Sequence, residues 1–315
     1  MALSRERVLI TGGGGFVGAC LARALITDGQ EVHLLLRGRT NPWRLAELED
    51  RYEAHAGDIC DASAVLRAVE ASRPEVVYHL AAHGAYPSQR DRDAILATNI
   101  LGTANLLNAL KGHDYYRLVN VGSSSEYGHK NQPMRSDDRL EPRSDYAVSK
   151  AAATHLCMAE AFKGRPVVTV RVFSAYGPWE EPTRLVPYVM RCCSLGKSPE
   201  VTAGRQPRDF IYVDDVVDLL RAAATHTEAR GQILHAGTGR QHSVRDMIET
   251  ILSVCGDGVK AQFGAEATRP DEPVQWVADI ERTRGSTGWQ PRFDLRSGIA
   301  RMWKWFQAPD LARAG

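Results

Sequence analysis

A short apolar run, Arg7-Val8-Leu9-Ile10, breaks into Thr11-Gly12-Gly13-Gly14-Gly15-Phe16-Val17-Gly18. An apolar stripe at helical spacing follows, with Val17, Leu21, Leu25 and Ile26 on one side. Strand, glycine turn and helix in that order leave few folds open. Residues without a Cβ let backbone N–H groups close on a pyrophosphate, whose charge then rests on the positive end of the helix. The turn therefore predicts a bound dinucleotide, with Gly12, Gly15, Phe16, Val17 and Gly18 as its cradle.

The pattern then repeats. Glu31–Leu36 reads as a second parallel strand, and Arg37 stands at its tip where an acid usually bonds the adenosine ribose. A guanidinium there pairs with a 2′-phosphate, which favours NADP(H) and leaves NAD(H) as the second choice. A third strand ends in Ala56-Gly57-Asp58-Ile59, with Asp58 and Ile59 placed to flank an adenine, and Val65–Val69 belong to the next helix. The fourth strand, Glu75–Ala82, ends in Leu80-Ala81-Ala82, small enough at the end for a cofactor to pass the backbone. Thr98–Thr103 is expected to open a long helix running to Leu110, with Asn99 on the cofactor side. Arg117–Val121 is a fifth strand running into Gly122-Ser123-Ser124-Ser125-Glu126-Tyr127-Gly128, and Pro166–Val172 a sixth, with Val172 at its cofactor end. Strands alternating with helices at this rhythm argue an α/β fold with a doubly wound parallel sheet.

At the head of an Ala-rich helix, Tyr146 and Lys150 stand four residues apart. That spacing puts them on one face, and the ammonium is expected to lower the pKa of the phenol toward working pH, as a general acid or base requires. The net charge of +1 gives no case for nucleic acid or an anionic membrane. Six scattered cysteines without a CxxC pair, and no His cluster at ligand spacing, speak against a metal and for a reducing, cytoplasmic setting. The N-terminus has no signal-peptide architecture, and no apolar run is long enough to span a bilayer.

With TGGGGFVG at 11–18, GDI at 57–59, HLAA at 79–82, TNILGT at 98–103, GSSSEYG at 122–128 and YAVSK at 146–150, the chain resembles the extended short-chain dehydrogenase/reductases. RVFSAYGP at 171–178, RDFIYVDD at 208–215 and RPDE at 269–272 carry the likeness to members that act on nucleotide-diphosphate sugars. The resemblance implies a Rossmann domain over residues 1–175, completed by about 208–240, where Gln232–Gly237 returns as a strand. A smaller α/β lobe for the nucleotide sugar would be built from 176–207 and 241–315. It implies a catalytic trio of Ser123, Tyr146 and Lys150, of which Tyr146 and Lys150 also contact the cofactor, Lys150 through the nicotinamide ribose. Substrate contacts would fall to Ser123, Ser124, Ser125, Ser174 (where the family usually has Asn), Val186, Arg208 and Arg269, with Arg205 nearby. Guanidinium forks match a diphosphate at two points. Copies of the chain would pair through the helices near 98–110 and 146–162 as a homodimer.

The departures from the family pattern steer the activity. Dehydratases carry acids just after the catalytic Ser or Thr; here Ser124 and Ser125 follow, and Glu126 comes one place later. The serine-rich turn followed by Glu126-Tyr127-Gly128 resembles more closely that of the reductases of 4-keto-6-deoxy nucleotide sugars, and Arg37 suits a released NADPH, so the reading is an NADPH-dependent 4-ketoreductase of such a sugar. An NAD-dependent 4-epimerase is the first rival, a 4,6-dehydratase the next, and a non-catalytic redox sensor the last. Asp214 and Asp215 are expected to cap the helix Val216–Ala224, and Ser243 with Asp246 to form a capping box. The tail from Trp289 through Trp305 reads as an amphipathic helix and its lead-in, its aromatics serving the core.

Overall fold

Seven strands pair side by side, every neighbour parallel. They are β1 (Arg7–Thr11), β2 (Glu31–Leu36), β3 (Glu53–Ala56), β4 (Val76–His79), β5 (Arg117–Ser123), β6 (Val167–Val172) and a late strand, Ile233–Ala236. The order across the sheet is β3-β2-β1-β4-β5-β6 and then the late strand. Winding reverses between β1 and β4, and at such a switch point the carboxyl ends of the strands open a crevice. The structure is a computed structural model that describes residues 6–38, 43–256, 258–266 and 273–308. Arg269 lies outside the described residues.

Both faces of the sheet's centre are covered, which is why β1, β5 and β6 are largely buried runs rather than alternating ones, while the edge strand β3 is not. On one face α1 (Phe16–Thr27) and α7 (Val213–Thr225) bring Leu21, Leu25, Val216 and Leu220 against Ile10, Val119 and Val170. On the other, α2 (Ala62–Ser72), α4 (Gly102–Ala109) and α5 (Asp145–Phe162) bring Val65, Leu106 and Cys157 against Leu9, Leu118 and Val167. Leu118 and Val119 part to opposite faces, as the two-residue period of a strand demands.

The helix expected to open at Thr98 begins earlier. Asp91 caps α3 (Arg92–Leu96), its carboxylate accepting from Asp93 N and Ala94 N, and a π-helical turn over Ala97–Leu101 joins α3 to α4. Asn99 thus sits mid-helix, inside the widened turn. Asp214 and Asp215 also depart from expectation. α7 starts at Val213 with no side-chain cap, so both acids lie inside its first turn. Buried Asp215 accepts from Arg292 N and Phe293 N, each at 3.1 Å, and Asp214 pairs with Arg301. They tie α7 to α10 (Leu295–Phe306) and its lead-in instead of capping. Ser243 does cap α8 (Val244–Cys255), exchanging bonds with Asp246 in both directions.

A second core forms where α6 (Leu185–Ser194), α8 and α10 meet around Val189, Met190, Ile248, Ile251 and Met302. The chain then crosses back. α9 (Glu281–Thr287) packs on the late strand, and Trp289 joins the core of the sheet, its Nε1 donating to Asp215 O. Among the described residues no helix is long and apolar enough to cross a membrane.

Candidate active site

The glycine turn lies directly against the end of β4. Gly12 has φ +76°, and a Cβ on it would meet Ala81 N at 2.5 Å. A Cβ on Gly18 would meet Gly12 O at 2.2 Å, so the first turn of α1, with Phe16 and Val17, can seat only because that position is bare. Gly15 is the helix N-cap and offers no side chain to satisfy the free N–H groups. Above the turn a cavity of about 310 Å³ runs past Gly12, Gly15 and Leu36 to Arg37, Asp58 and Ile59, with Leu80, Ala81 and Ala82 as its opposite wall. A bare helix end at the bottom and a basic end at the top, beside Asp58 and Ile59, fit a dinucleotide.

The floor is fastened by a buried relay. Ala81 N donates to Thr11 Oγ1, which bonds His79 Nδ1 at 2.7 Å; His79 Nε2 bonds Thr103 Oγ1 at 2.8 Å, and Thr103 donates to Asn99 O. Since Thr103 spends its proton on Asn99, His79 must donate from Nε2 and accept at Nδ1, a neutral ring. Burial accordingly drives its pKa down to about 3, and the Lys150 charge adds to the effect. The Asn99 amide accepts from His83 N and donates to His83 O and Ser149 Oγ, each at 2.8 Å. Expected to touch the cofactor, it is instead committed to clamping the loop after β4 onto α5.

Sequence patterns gave no sign of Arg44. It is buried, and its guanidinium spans Gly14 O at 3.3 Å, Trp179 O at 2.6 Å and Glu181 Oε2 at 3.0 Å. One side chain so straps the glycine turn to the 177–181 loop. His83, Tyr86, Gln89 and Glu181 also line the cavity. They come from loops, where no periodicity marks them.

Ser123 ends β5 directly across the ladder from Val172, so both stand at the same mouth of the sheet. Tyr146, in the first turn of α5, faces Ser123, whose side chain favours the ionised phenol. The acidification expected from Lys150 is not realised. Burial, first among the causes, pushes the Tyr146 phenol up to about 12, with Ser123 and Arg184 opposing it only in part. Buried Lys150 donates from Nζ to Val121 O at 2.6 Å. Burial also lowers the pKa of this amine, against the pull of Glu126. Spacing on a helix does put the two residues on one face; desolvation and the choice of acceptor decide the charge.

The serine turn is held from beneath. Glu126 is fully buried, accepts Ser123 N at 2.7 Å and takes Arg171 Nε at 2.8 Å. Arg171 also donates to Tyr127 OH, which bonds His235 Nε2 at 2.6 Å, and His235 Nδ1 reaches Asp279 O at 2.8 Å. Neither oxygen of Glu126 is left for chemistry. Ser124 Oγ accepts Trp276 Nε1 at 3.2 Å, which brings the 276–280 segment to the turn; Ser125 carries no carboxyl group and is half-buried.

On the far side, Ser174 begins a short strand, Ser174–Tyr176, paired with Phe210–Tyr212. Arg208 lies half-buried 5.7 Å from the Trp276 ring centre, while Arg205 is exposed. Val186, expected beside the nucleotide base, is a core residue here: 3% exposed, it packs with Met190 and Ile248. Glu180 and Arg184 were not foreseen. Glu180 is 9% exposed, and its Oε2 has no hydrogen-bond partner among the described residues. Burial pushes its pKa up to about 8 although Arg184 Nε is 3.6 Å away. Arg184 reaches 6.0 Å from the Tyr86 ring centre and favours ionised Tyr146, so the pair borders the catalytic mouth.

The profile of the NAD-dependent epimerase/dehydratase family matches residues 8–237. The chain belongs to this family. It is similar to dTDP-glucose 4,6-dehydratase 1 of Escherichia coli K12, 28% identical, with 95% of this chain and 92% of the relative covered. Among solved structures it resembles the UDP-glucuronic acid 4-epimerase of Bacillus cereus in complex with UDP-glucuronic acid and NAD: TM-score 0.84, 26% identity, 95% and 98% of the two chains covered. MoeE5 in complex with UDP-glucose and NAD gives a TM-score of 0.83 at 29% identity over the same shares. These family structures hold NAD; the expectation of NADP(H) finds no counterpart in them. The resemblance to the extended nucleotide-sugar dehydrogenase/reductases stands, as does the doubly wound fold.

Proposed function

We propose that the protein is an NAD-dependent 4-epimerase of a nucleotide-diphosphate sugar. The observation that carries this reading is that Tyr146 faces Ser123 at the carboxyl end of β5, ahead of a turn whose only acid is already committed. NAD supplies a hydride acceptor and donor at the sugar C4. Ser123 holds the C4 oxygen, Tyr146 exchanges the proton of that oxygen, and Lys150 keeps a positive charge beneath them. Removal of a C5 proton and loss of the 6-hydroxyl would need a free carboxyl group on the turn. Ser124 and Ser125 provide none, which disfavours the dehydratase reading despite the likeness to dehydratases. Epimerisation returns the cofactor unchanged, so a cofactor that stays bound is an advantage. The Arg44 strap from Gly14 to Trp179 and Glu181 suits retention.

Arg208, Ser174 and, outside the described residues, Arg269 are the groups proposed for the diphosphate. Exposed Leu101 and Val148 lie on the two helical segments through which copies would pair. A second reading, a 4-ketoreductase that releases its cofactor, is favoured by Arg37, whose exposed guanidinium at the tip of β2 suits the 2′-phosphate of NADPH. One experiment separates them. The purified protein is acid-denatured and the released nucleotide measured, then fresh protein is incubated with UDP-glucose, UDP-glucuronic acid and dTDP-glucose. Stoichiometric NAD and a C4 epimer seen by NMR support the epimerase. Cofactor-free protein that consumes NADPH only with 4-keto sugars supports the reductase.

A further inference from the structure

Away from the catalytic mouth, the outermost strand of the sheet carries an arrangement that the linear sequence hides. β2 and β3 run parallel with His33 opposite Glu53 and Leu35 opposite His55. Alternate residues of a strand share a face, so Glu31 and His33 of β2 stand beside Glu53 and His55 of β3. His33 is 3% exposed, whereas the Glu53 side chain is 63% exposed. His33 Nδ1 lies 3.1 Å from His55 Nε2 and 3.5 Å from a Glu53 oxygen, and His55 Nε2 lies 3.8 Å from the other Glu53 oxygen.

We propose that His33, His55 and Glu53 form a divalent transition-metal site, with zinc as the favoured ion and water in the fourth position. The spacing supports it. Metal–ligand bonds of about 2.0–2.1 Å at tetrahedral angles place neighbouring ligand atoms roughly 3.3 Å apart; the two ring nitrogens stand 3.1 Å apart, and each has one oxygen of the exposed Glu53 carboxylate within 3.8 Å, so a small rotation of that carboxylate would complete the set. The second shell supports it as well. His33 Nε2 is 3.3 Å from Glu31 Oε1, so its proton belongs on that nitrogen and the Nδ1 lone pair is left to face His55 and Glu53. A carboxylate behind a ligating imidazole is the usual way such a ring is oriented. Two imidazoles and one carboxylate, with no thiolate, select zinc or cobalt over the harder magnesium and calcium.

The fold gives the ion a task. None of the four residues of β3 is buried, so little apolar packing fastens this edge strand. It leads directly into Gly57, Asp58 and Ile59, which form the far end of the dinucleotide cavity. A metal joining β2 to β3 would pin that end.

The test needs no turnover and no sugar, so its outcome is independent of the epimerase reading. Protein stripped with a chelator is titrated with Zn²⁺ in a calorimeter and with Co²⁺ in a spectrophotometer. The expected result is one equivalent of Zn²⁺, a raised melting temperature, and tetrahedral cobalt bands without a thiolate charge-transfer band. Glu31→Gln should weaken binding by about 10–100-fold, and His55→Ala by more. Glu53→Gln, at an exposed position, serves if the His55 variant does not fold. Absence of stoichiometric binding, a thiolate band, or affinity unchanged in the His55 or Glu53 variant would each overturn the proposal.

Discussion

Replacing Glu126 by Gln probes how the roof of the sheet is held. Glu126 and Arg171 are both buried and 2.8 Å apart. Gln retains an oxygen for Ser123 N, so the shape of the turn is kept and only the charge is lost. The stranded guanidinium cannot give up its proton, so the expected loss is ~3–5 kcal/mol, nearly constant from about pH 5 to about pH 8. Arg171→Met strands the carboxylate instead, and a carboxylate can escape by taking up a proton. That escape costs about 1.4 kcal/mol for each pH unit above an ordinary Glu value of about 4.3, which caps the loss near ~3.7 kcal/mol at about pH 7. In this variant the folded state binds the extra proton, so its deficit grows as pH rises and shrinks as pH falls. The double variant removes both charges and should lose less than either single change. Urea unfolding at about pH 5 and about pH 8, with free energies extrapolated to water, measures all three. Equal pH dependence in the two single variants, or a double variant as unstable as their sum, would refute the argument that the two residues act as one buried pair.

Tyr146→Phe should cut turnover by about 10²–10⁴-fold while calorimetry finds cofactor binding unchanged. Gly12→Ala, whose Cβ would press on Ala81 N at 2.5 Å, should abolish cofactor binding; Gly112→Ala, with nothing within 4 Å of the new Cβ, should not. Burial lowers His235 from 6.5 to about 4, so its contribution is complete above 6.5 and is lost as pH falls through about 4. It is worth ~3 kcal/mol, and His235→Gln should flatten that part of the acid-unfolding curve. Glu180 has the opposite sign: raised from 4.5 to about 8, it costs stability progressively as pH rises between those values. Glu180→Gln should therefore be more stable than the parent above pH 8, by up to ~5 kcal/mol, with the difference vanishing near pH 4.5; no gain at high pH would count against a buried neutral carboxyl.

The sheet and its glycine turn were legible in the chain because the signals are local. Val8-Leu9-Ile10, then four glycines, then Leu21 and Leu25 at helical spacing carry their own instruction, and β2, β5 and β6 follow as apolar runs. The capping box at Ser243 and Asp246 spans three residues and was equally readable. Errors arose where a local rule met a distant partner. Asp214 and Asp215 look like caps, yet Arg292, Phe293 and Arg301 claim them from the other end of the chain.

What the sequence determined by itself was the parallel sheet with its glycine turn, since backbone propensity and spacing suffice for those, and, through its motifs, the resemblance to the family. Only the tertiary structure decided how the mouth is charged and closed. Burial, not the neighbouring amine, sets the Tyr146 phenol, and Arg171 from β6 takes Glu126 out of the chemistry. Arg44 reaches Trp179 across 135 positions of chain and so ties it to Gly14. Desolvation and hydrogen-bond choice depend on what surrounds a group in space, and that is settled only when the strands and loops have met.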